Sequence, residues 1–208
     1  MGKIISIFNQ KGGVGKTTTA INLSAGLGKL GKKIALVDID PQGNSTSGLG
    51  IDKDSVQPII YDVLANNIDI RDSINDSTAE NVKIIPSNNQ LAGLEIELAR
   101  EGNWEKILKD RLEVIRDDFD YIFIDCPPSL GILSVIGLVA SDSVIIPIQC
   151  EYYALEGVSQ LFETIKLVKK GLNPNLEVEG VVLSMFDGRT NLSIQVVDEV
   201  KSFFKGKV

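Results

Sequence analysis

Asn9–Thr18 reads N-Q-K-G-G-V-G-K-T-T, and these residue types at this spacing make a phosphate cradle. Gly12, Gly13 and Gly15 let the backbone turn tightly and aim successive N–H groups inward. A helix that begins near Lys16 adds its own unpaired N–H groups and the positive end of its dipole. Lys16 would reach the β- and γ-phosphates of a nucleotide, and the Thr17 hydroxyl would hold Mg²⁺. The cradle runs through Lys11, Gly12, Gly13, Val14, Gly15, Lys16, Thr17 and Thr18. The strict pattern G-x-x-x-x-G-K-[ST] is not met. Gln10 stands where its first glycine belongs, and an additional lysine, Lys11, stands next to it.

Carboxylates supply the rest of the candidate chemistry. Asp125 closes the apolar run D-Y-I-F-I-D, which is where a phosphate-loop protein places the acid of its Mg²⁺ site; the alternative is a cap on the following turn. Asp38 and Asp40 flank the same region in D-I-D-P-Q-G. The chain has no histidine, so Ser-His-Asp and Cys-His catalysis and His-ligated metals are excluded. One of the two aspartates then becomes the group that orients an attacking water, against the alternative of Asx-turn capping. D-x-D-x-Q-G also resembles the start of an EF-hand, but Leu49 at its twelfth position and Pro41 within it exclude that.

The elements that position these groups follow from periodicity. Lys3–Phe8 reads as a buried parallel strand. Lys16–Leu30 reads as a helix with Ala20, Leu23, Leu27 and Leu30 at core spacing, closed by Gly31. Lys33–Asp38 is a second strand, so the first unit is a right-handed βαβ crossover. Ile39–Gly50 carries Gly, Pro and hydroxyls throughout and reads as irregular loop. Further strands are expected at Asn81–Pro86, Asp120–Asp125, Ser143–Ile148 and Glu177–Met185. Helices are expected at Tyr61–Ala65, Gln90–Arg100, Glu105–Arg116, Ile132–Ala140, Leu155–Lys170 and Leu192–Phe204, with a turn at Asp69–Ile74. The fold class is α/β, a mostly parallel sheet between helical layers. Gly12–Thr17, Asp38–Gly43 and Asp125–Ser129 all lie at strand carboxyl ends, where open parallel sheets bind ligands.

Composition sets the outer bounds. A length of 208 residues with 43% hydrophobic content supports one α/β domain over 1–208. The formal net charge of −7 argues against a uniformly nucleic-acid-coating protein but leaves room for a local basic patch. Such a patch is offered by Lys166, Lys169, Lys170, Arg189, Lys201, Lys205 and Lys207, against the alternative of ordinary solvated helix ends. Cys126 and Cys150 read as small buried thiols rather than cluster ligands. No apolar run reaches membrane-spanning length. M-G-K-I-I-S matches a myristoylation pattern, but those residues are needed as the first strand.

K-G-G-V-G-K-T-T, D-I-D-P-Q-G-N-S-T-S-G-L-G, I-D-C-P-P-S-L-G, P-I-Q-C-E-Y-Y-A-L-E-G and F-D-G-R-T-N-L-S-I-Q-V-V-D-E-V together resemble the ParA/Soj family, the P-loop ATPases of chromosome and plasmid partitioning. The resemblance runs from end to end. It implies a three-layer α/β/α P-loop NTPase fold, with ATP and Mg²⁺ as ligands. It implies that Lys11 is the signature lysine that reaches a partner subunit's nucleotide. Lys16 then contacts phosphate, Thr17 and Asp125 serve the Mg²⁺, and Asp40 positions the hydrolytic water. It further implies an ATP-dependent homodimer that binds DNA without sequence preference, with Arg189 contributing. A ParB/Spo0J-type centromere-binding partner would stimulate hydrolysis in the cytoplasm, at the nucleoid, without stable membrane association.

One departure from that pattern stands out. Family members continue beyond the last helix with a further strand and a C-terminal helix, so a truncated domain is expected here. On that expectation helix Leu192–Phe204 exposes Val196, Val200 and Phe203. Rival readings are a non-catalytic nucleotide-binding scaffold and a membrane switch like the cell-division ATPase MinD.

Overall fold

A computed structural model describes residues 1–151 and 154–208. Its centre is β1 (Lys3–Ile7), followed by α1 (Lys16–Lys29), β2 (Ile34–Asp38), α2 (Asn44–Gly48) and α3 (Ile60–Ala65). A 3₁₀ turn at Ile70–Ser73 leads into β3 (Asn75–Asp76) and β4 (Val82–Ile85). Then come α4 (Leu91–Glu101), α5 (Ile107–Glu113), a 3₁₀ turn at Arg116–Asp118, β5 (Tyr121–Asp125) and α6 (Ile132–Ala140). The chain closes with β6 (Ser143–Gln149), α7 (Ala154–Gly171), β7 (Glu177–Ser184) and α8 (Asn191–Phe203). The strands form one seven-stranded sheet in the order β3-β4-β2-β5-β1-β6-β7. Every pairing is parallel except β3 with β4. This is the expected three-layer α/β/α arrangement.

The alternation of β1 divides the core. Ile5 and Ile7 pack with Ala20, Leu36, Phe123 and Leu49 under α1. Ile4 faces the opposite layer, which holds Leu94 of α4, Leu112 of α5, Ile136 of α6, Ile165 of α7 and Val200 of α8. Because the strands are buried on both faces, their sequences are nearly continuous in apolar residues.

Several details differ from the sequence reading. The buried row of α1 is Lys16, Ala20, Ser24 and Gly28, while Leu30 is 78% exposed. Small residues at every fourth position let the helix lie close to the sheet, so the leucines sit beside the contact line. The loop after β2 is not wholly irregular, since α2 forms within it. β3 went unread because two polar residues carry no alternation. On α8, Val196 is 2% exposed and Val200 fully buried, packed against α7 and its neighbours, whereas Phe203 is half-exposed. The expected exposure of the two valines is therefore wrong: they lie on the helix face toward the core. Of the motif P-I-Q-C-E-Y-Y-A-L-E-G, Tyr152 and Tyr153 lie outside the described residues. No helix among the described residues is long and apolar enough to cross a membrane.

The α1 packing yields a paired test. A Cβ on Gly28 would stand 2.1 Å from the Glu80 carbonyl oxygen, whereas one on Gly26 meets nothing within 4 Å. Gly28→Ala should destabilise the protein by about 1–3 kcal/mol and Gly26→Ala should stabilise it by about 0.5–1 kcal/mol, read from urea midpoints. Equal effects of the two would refute the close approach.

Candidate functional site: a phosphate cradle at the strand ends

The three loops predicted to converge do so. A cavity of about 310 Å³ opens at the carboxyl end of β1, lined by Gly13, Gly15, Lys16, Thr17, Thr18, Asp40, Gln42, Asn44, Pro128 and Met185. Gly15 stands at φ 91° and leaves the start of α1 without a side-chain cap. Gly13 is also left-handed, at φ 75°, with open space where a Cβ would be. Only glycine takes such backbone readily, and uncapped helix N–H groups favour an anion. Gly12 borders the Pro128 side chain, and Val14 is buried beneath the loop.

The loop is tied down at both ends. Asn9 donates from Nδ2 to the Pro147 carbonyl of β6 at 2.7 Å and accepts the Lys11 N–H at 3.0 Å. Ser184, at the end of β7, donates to the Val14 carbonyl at 2.8 Å. Lys16 is 7% exposed, and its ammonium donates to the Lys11 carbonyl at 2.9 Å. Burial pulls its pKa down, against the nearby Asp125, Cys126 and Asp40. A buried cation with one backbone partner fits an anionic ligand.

Beneath the cradle sit two carboxylates in register, since Asp38 and Asp125 are opposed across β2 and β5. Both are fully buried. Asp38 accepts from the Thr46 amide at 2.9 Å, the Thr46 hydroxyl at 2.8 Å and the Asp40 amide at 3.1 Å. Asp125 accepts from the Ser45 hydroxyl at 2.7 Å through Oδ2, while Oδ1 is buried without a partner. Burial raises both pKa values. The Asp125 charge raises Asp38 further against its Thr46 and Asp40 donors. For Asp125, the Ser45 and Thr17 hydroxyls oppose the rise. An orphaned carboxylate oxygen beside a threonine hydroxyl and a phosphate cradle is a donor set that fits a divalent cation. Asp40 is 7% exposed, lines the cavity and accepts the Gln42 amide at 2.9 Å.

Two predicted site residues lie elsewhere. Lys11 turns away from the cavity and forms an ion pair with Glu151; both border a small recess with Asn9, Val14 and Gly157. Arg189 is 90% exposed and forks onto Asp187 at 2.7 and 2.8 Å. The other late cations do not share its place. Lys169, Lys205 and Lys207 line a groove with Phe162, Phe203 and Phe204, and Lys166 stands 5.2 Å over the Phe162 ring. Arg189 precedes α8, whereas Lys205 and Lys207 follow it, so the 13-residue helix separates Arg189 from those two by about 20 Å. Cys126 is wholly buried and its thiol is pushed far up by burial, which keeps it protonated. Sequence reasoning overlooked Ser45, Thr46 and Ser87, whose hydroxyls meet these carboxylates and the Asp40 carbonyl. Their signal was position: each follows the carboxyl end of a parallel strand.

The carboxylate pair sets a pH dependence. Both folded pKa values stand above the unfolded value, so the fold favours the protonated forms. That contribution is complete below about pH 4 and is lost as pH rises toward neutrality through the raised values. In the absence of nucleotide and divalent ions, Tm should fall over this interval, and Asp38→Asn should flatten the slope. An Asp38→Asn protein with the original pH profile in differential scanning calorimetry would refute the coupling.

Comparison with known proteins places this geometry. A sequence profile of the family described as "AAA domain" matches residues 2–178. The sporulation initiation inhibitor protein Soj of Bacillus subtilis (strain 168) is 59% identical over 208 residues, covering the whole chain and 82% of the relative. The chromosome partitioning protein ParA of Myxococcus xanthus (strain DK1622) is 52% identical, covering the whole chain and 74% of the relative. Among solved structures, cobyrinic acid a,c-diamide synthase from Mycobacterium smegmatis, with bound ATP analog and magnesium, superposes with a TM-score of 0.93. It is 38% identical, over 99% of this chain and 84% of that one. With a phosphate loop that carries the extra Lys11, carboxylates closing β2 and β5 and identity of this extent, the chain belongs to the ParA/Soj family of chromosome-partitioning ATPases.

Proposed function

We propose that this chain is an ATP-dependent dimerisation switch that hydrolyses ATP to ADP and phosphate. One observation carries the reading. Lys16, Thr17 and Asp40 line one cavity with the buried, unpartnered Asp125 oxygen beneath the cradle, while Lys11 points out of it. Lys16 meets the β- and γ-phosphates, and the amides at the start of α1 bind their oxygens. Thr17 and Asp125 hold Mg²⁺, which neutralises phosphate charge when bound. Asp40 orients the attacking water, so catalysis comes from positioning and charge rather than from covalent chemistry. Lys11 acts on the nucleotide of a second subunit, and its separation from its own cavity supports that role. The magnesium and ATP analog in the Mycobacterium smegmatis structure support the same ligands here.

In this reading ATP favours a homodimer, and the dimer binds DNA without sequence preference at the nucleoid, in the cytoplasm. Lys166, Lys169, Lys205 and Lys207 around Phe162, Phe203 and Phe204 supply phosphate contacts, and dimerisation doubles them. Arg189 would contact DNA from the other end of α8. A ParB/Spo0J-type partner stimulates an intrinsically slow hydrolysis and resets the cycle. The names of the partitioning relatives support this assignment.

Two substitutions separate the roles. Lys11→Ala should keep ATP affinity within about threefold, yet abolish turnover and the ATP-induced doubling of mass in light scattering. Normal ATP-dependent dimerisation would remove Lys11 from the trans role. Asp40→Ala should lower kcat at least a hundredfold, on the order seen when a positioned acid–base group is lost. It should accumulate an ATP-bound dimer that retains duplex DNA at low salt and releases it steeply as salt rises. Unchanged turnover would remove Asp40 from the mechanism.

A further inference from the structure

The loop bearing Asp40 is held by a residue outside the phosphate motifs. Ser87 follows β4 and is completely buried. Its hydroxyl donates to the Asp40 carbonyl at 2.9 Å, and its amide donates to the Thr46 hydroxyl at 2.9 Å. That hydroxyl in turn donates to Asp38 at 2.8 Å. The Asp40 backbone is thereby gripped on both sides, its amide by Asp38 at 3.1 Å and its carbonyl by Ser87. The Gly43 amide adds a bond to the same carbonyl at 2.9 Å. The contact is close: a Cβ on Gly43 would lie 2.7 Å from the Ser87 carbonyl oxygen. β4 is itself paired with β2 through Val37 and Ile85, so Ser87 is fixed to the rigid sheet.

We infer that Ser87 is a positioning residue for hydrolysis: it anchors the Asp40 peptide to the sheet and so aims the Asp40 carboxylate within the cavity. The inference rests on the assignment of Asp40 to the attacking water. Ser87 lines no part of the nucleotide cavity, so its loss acts on the reacting geometry and not on ATP affinity. Misplacing a positioned group by a fraction of an ångström to an ångström costs about ten- to a hundredfold in rate.

Ser87→Ala, Asp40→Ala and the double variant decide it, through steady-state ATP hydrolysis with Mg²⁺, nucleotide titration and hydrogen–deuterium exchange without nucleotide. Ser87→Ala should lower kcat about ten- to a hundredfold with KM and nucleotide Kd within about twofold. It should speed exchange of the Asp40–Ser47 amides about tenfold, as loss of one local hydrogen bond permits, with α5 unchanged. In the Asp40→Ala background, Ser87→Ala should cause no further loss of kcat. Unchanged kcat or unchanged exchange in Ser87→Ala, with Asp40→Ala inactive, overturns the role of Ser87 alone. An equal loss in both backgrounds, or a parallel rise in KM, also overturns it in favour of a merely structural residue. Normal turnover by Asp40→Ala overturns the assignment of Asp40 itself, and the inference with it.

Discussion

Two buried carboxylates lie side by side at the ends of adjacent strands, and the top of the molecule is built to tolerate them. Asp38 and Asp125 are brought together by the register of β2 against β5. Leaving an ionised carboxylate buried costs several kcal/mol. Each hydrogen bond to a charged group returns about 1.5–3 kcal/mol. Asp38 collects three such bonds and Asp125 one from Ser45, which offset only part of that cost, so burial still raises both pKa values. The loop from Asp40 to Thr46 is therefore shaped by what the carboxylates require. α2 begins where it does because its Thr46 amide points at Asp38, an anion at a helix N-terminus.

Much of this was legible in the chain. Strands such as Ile34–Asp38 and Tyr121–Asp125 announce themselves because burial on both faces leaves continuous apolar runs that end in a carboxylate. The cradle was legible because glycine is required at Gly13 and Gly15, both at positive φ. Ser87 was legible only as a position after a strand end; nothing in the sequence marks the neighbour it will meet 47 positions away. The core row of α1 was misread for a related reason. Leucines suggest a packing face, but a helix that must approach the Glu80 carbonyl needs Gly28 there instead.

Charge is likewise ordered by place more than by amount. The chain is acidic overall, yet the ends of α7 and α8 collect lysines around Phe162, Phe203 and Phe204. At the opposite end, Lys11 and Lys16 leave the same loop in different directions, one to Glu151 and one to the backbone of the loop itself. Six residues of chain with glycines at Gly12, Gly13 and Gly15 permit that divergence.

The bonds from Asn9 to β6 and from Ser184 to Val14 have a thermodynamic consequence. A glycine-rich loop free in solution would lose much conformational entropy on closing around a ligand, because glycine has the most freedom to lose. Here that ordering accompanies folding of the sheet. Ligand association at the cradle should then carry a small backbone entropy penalty, and its heat-capacity change should reflect dehydration of the site rather than loop folding.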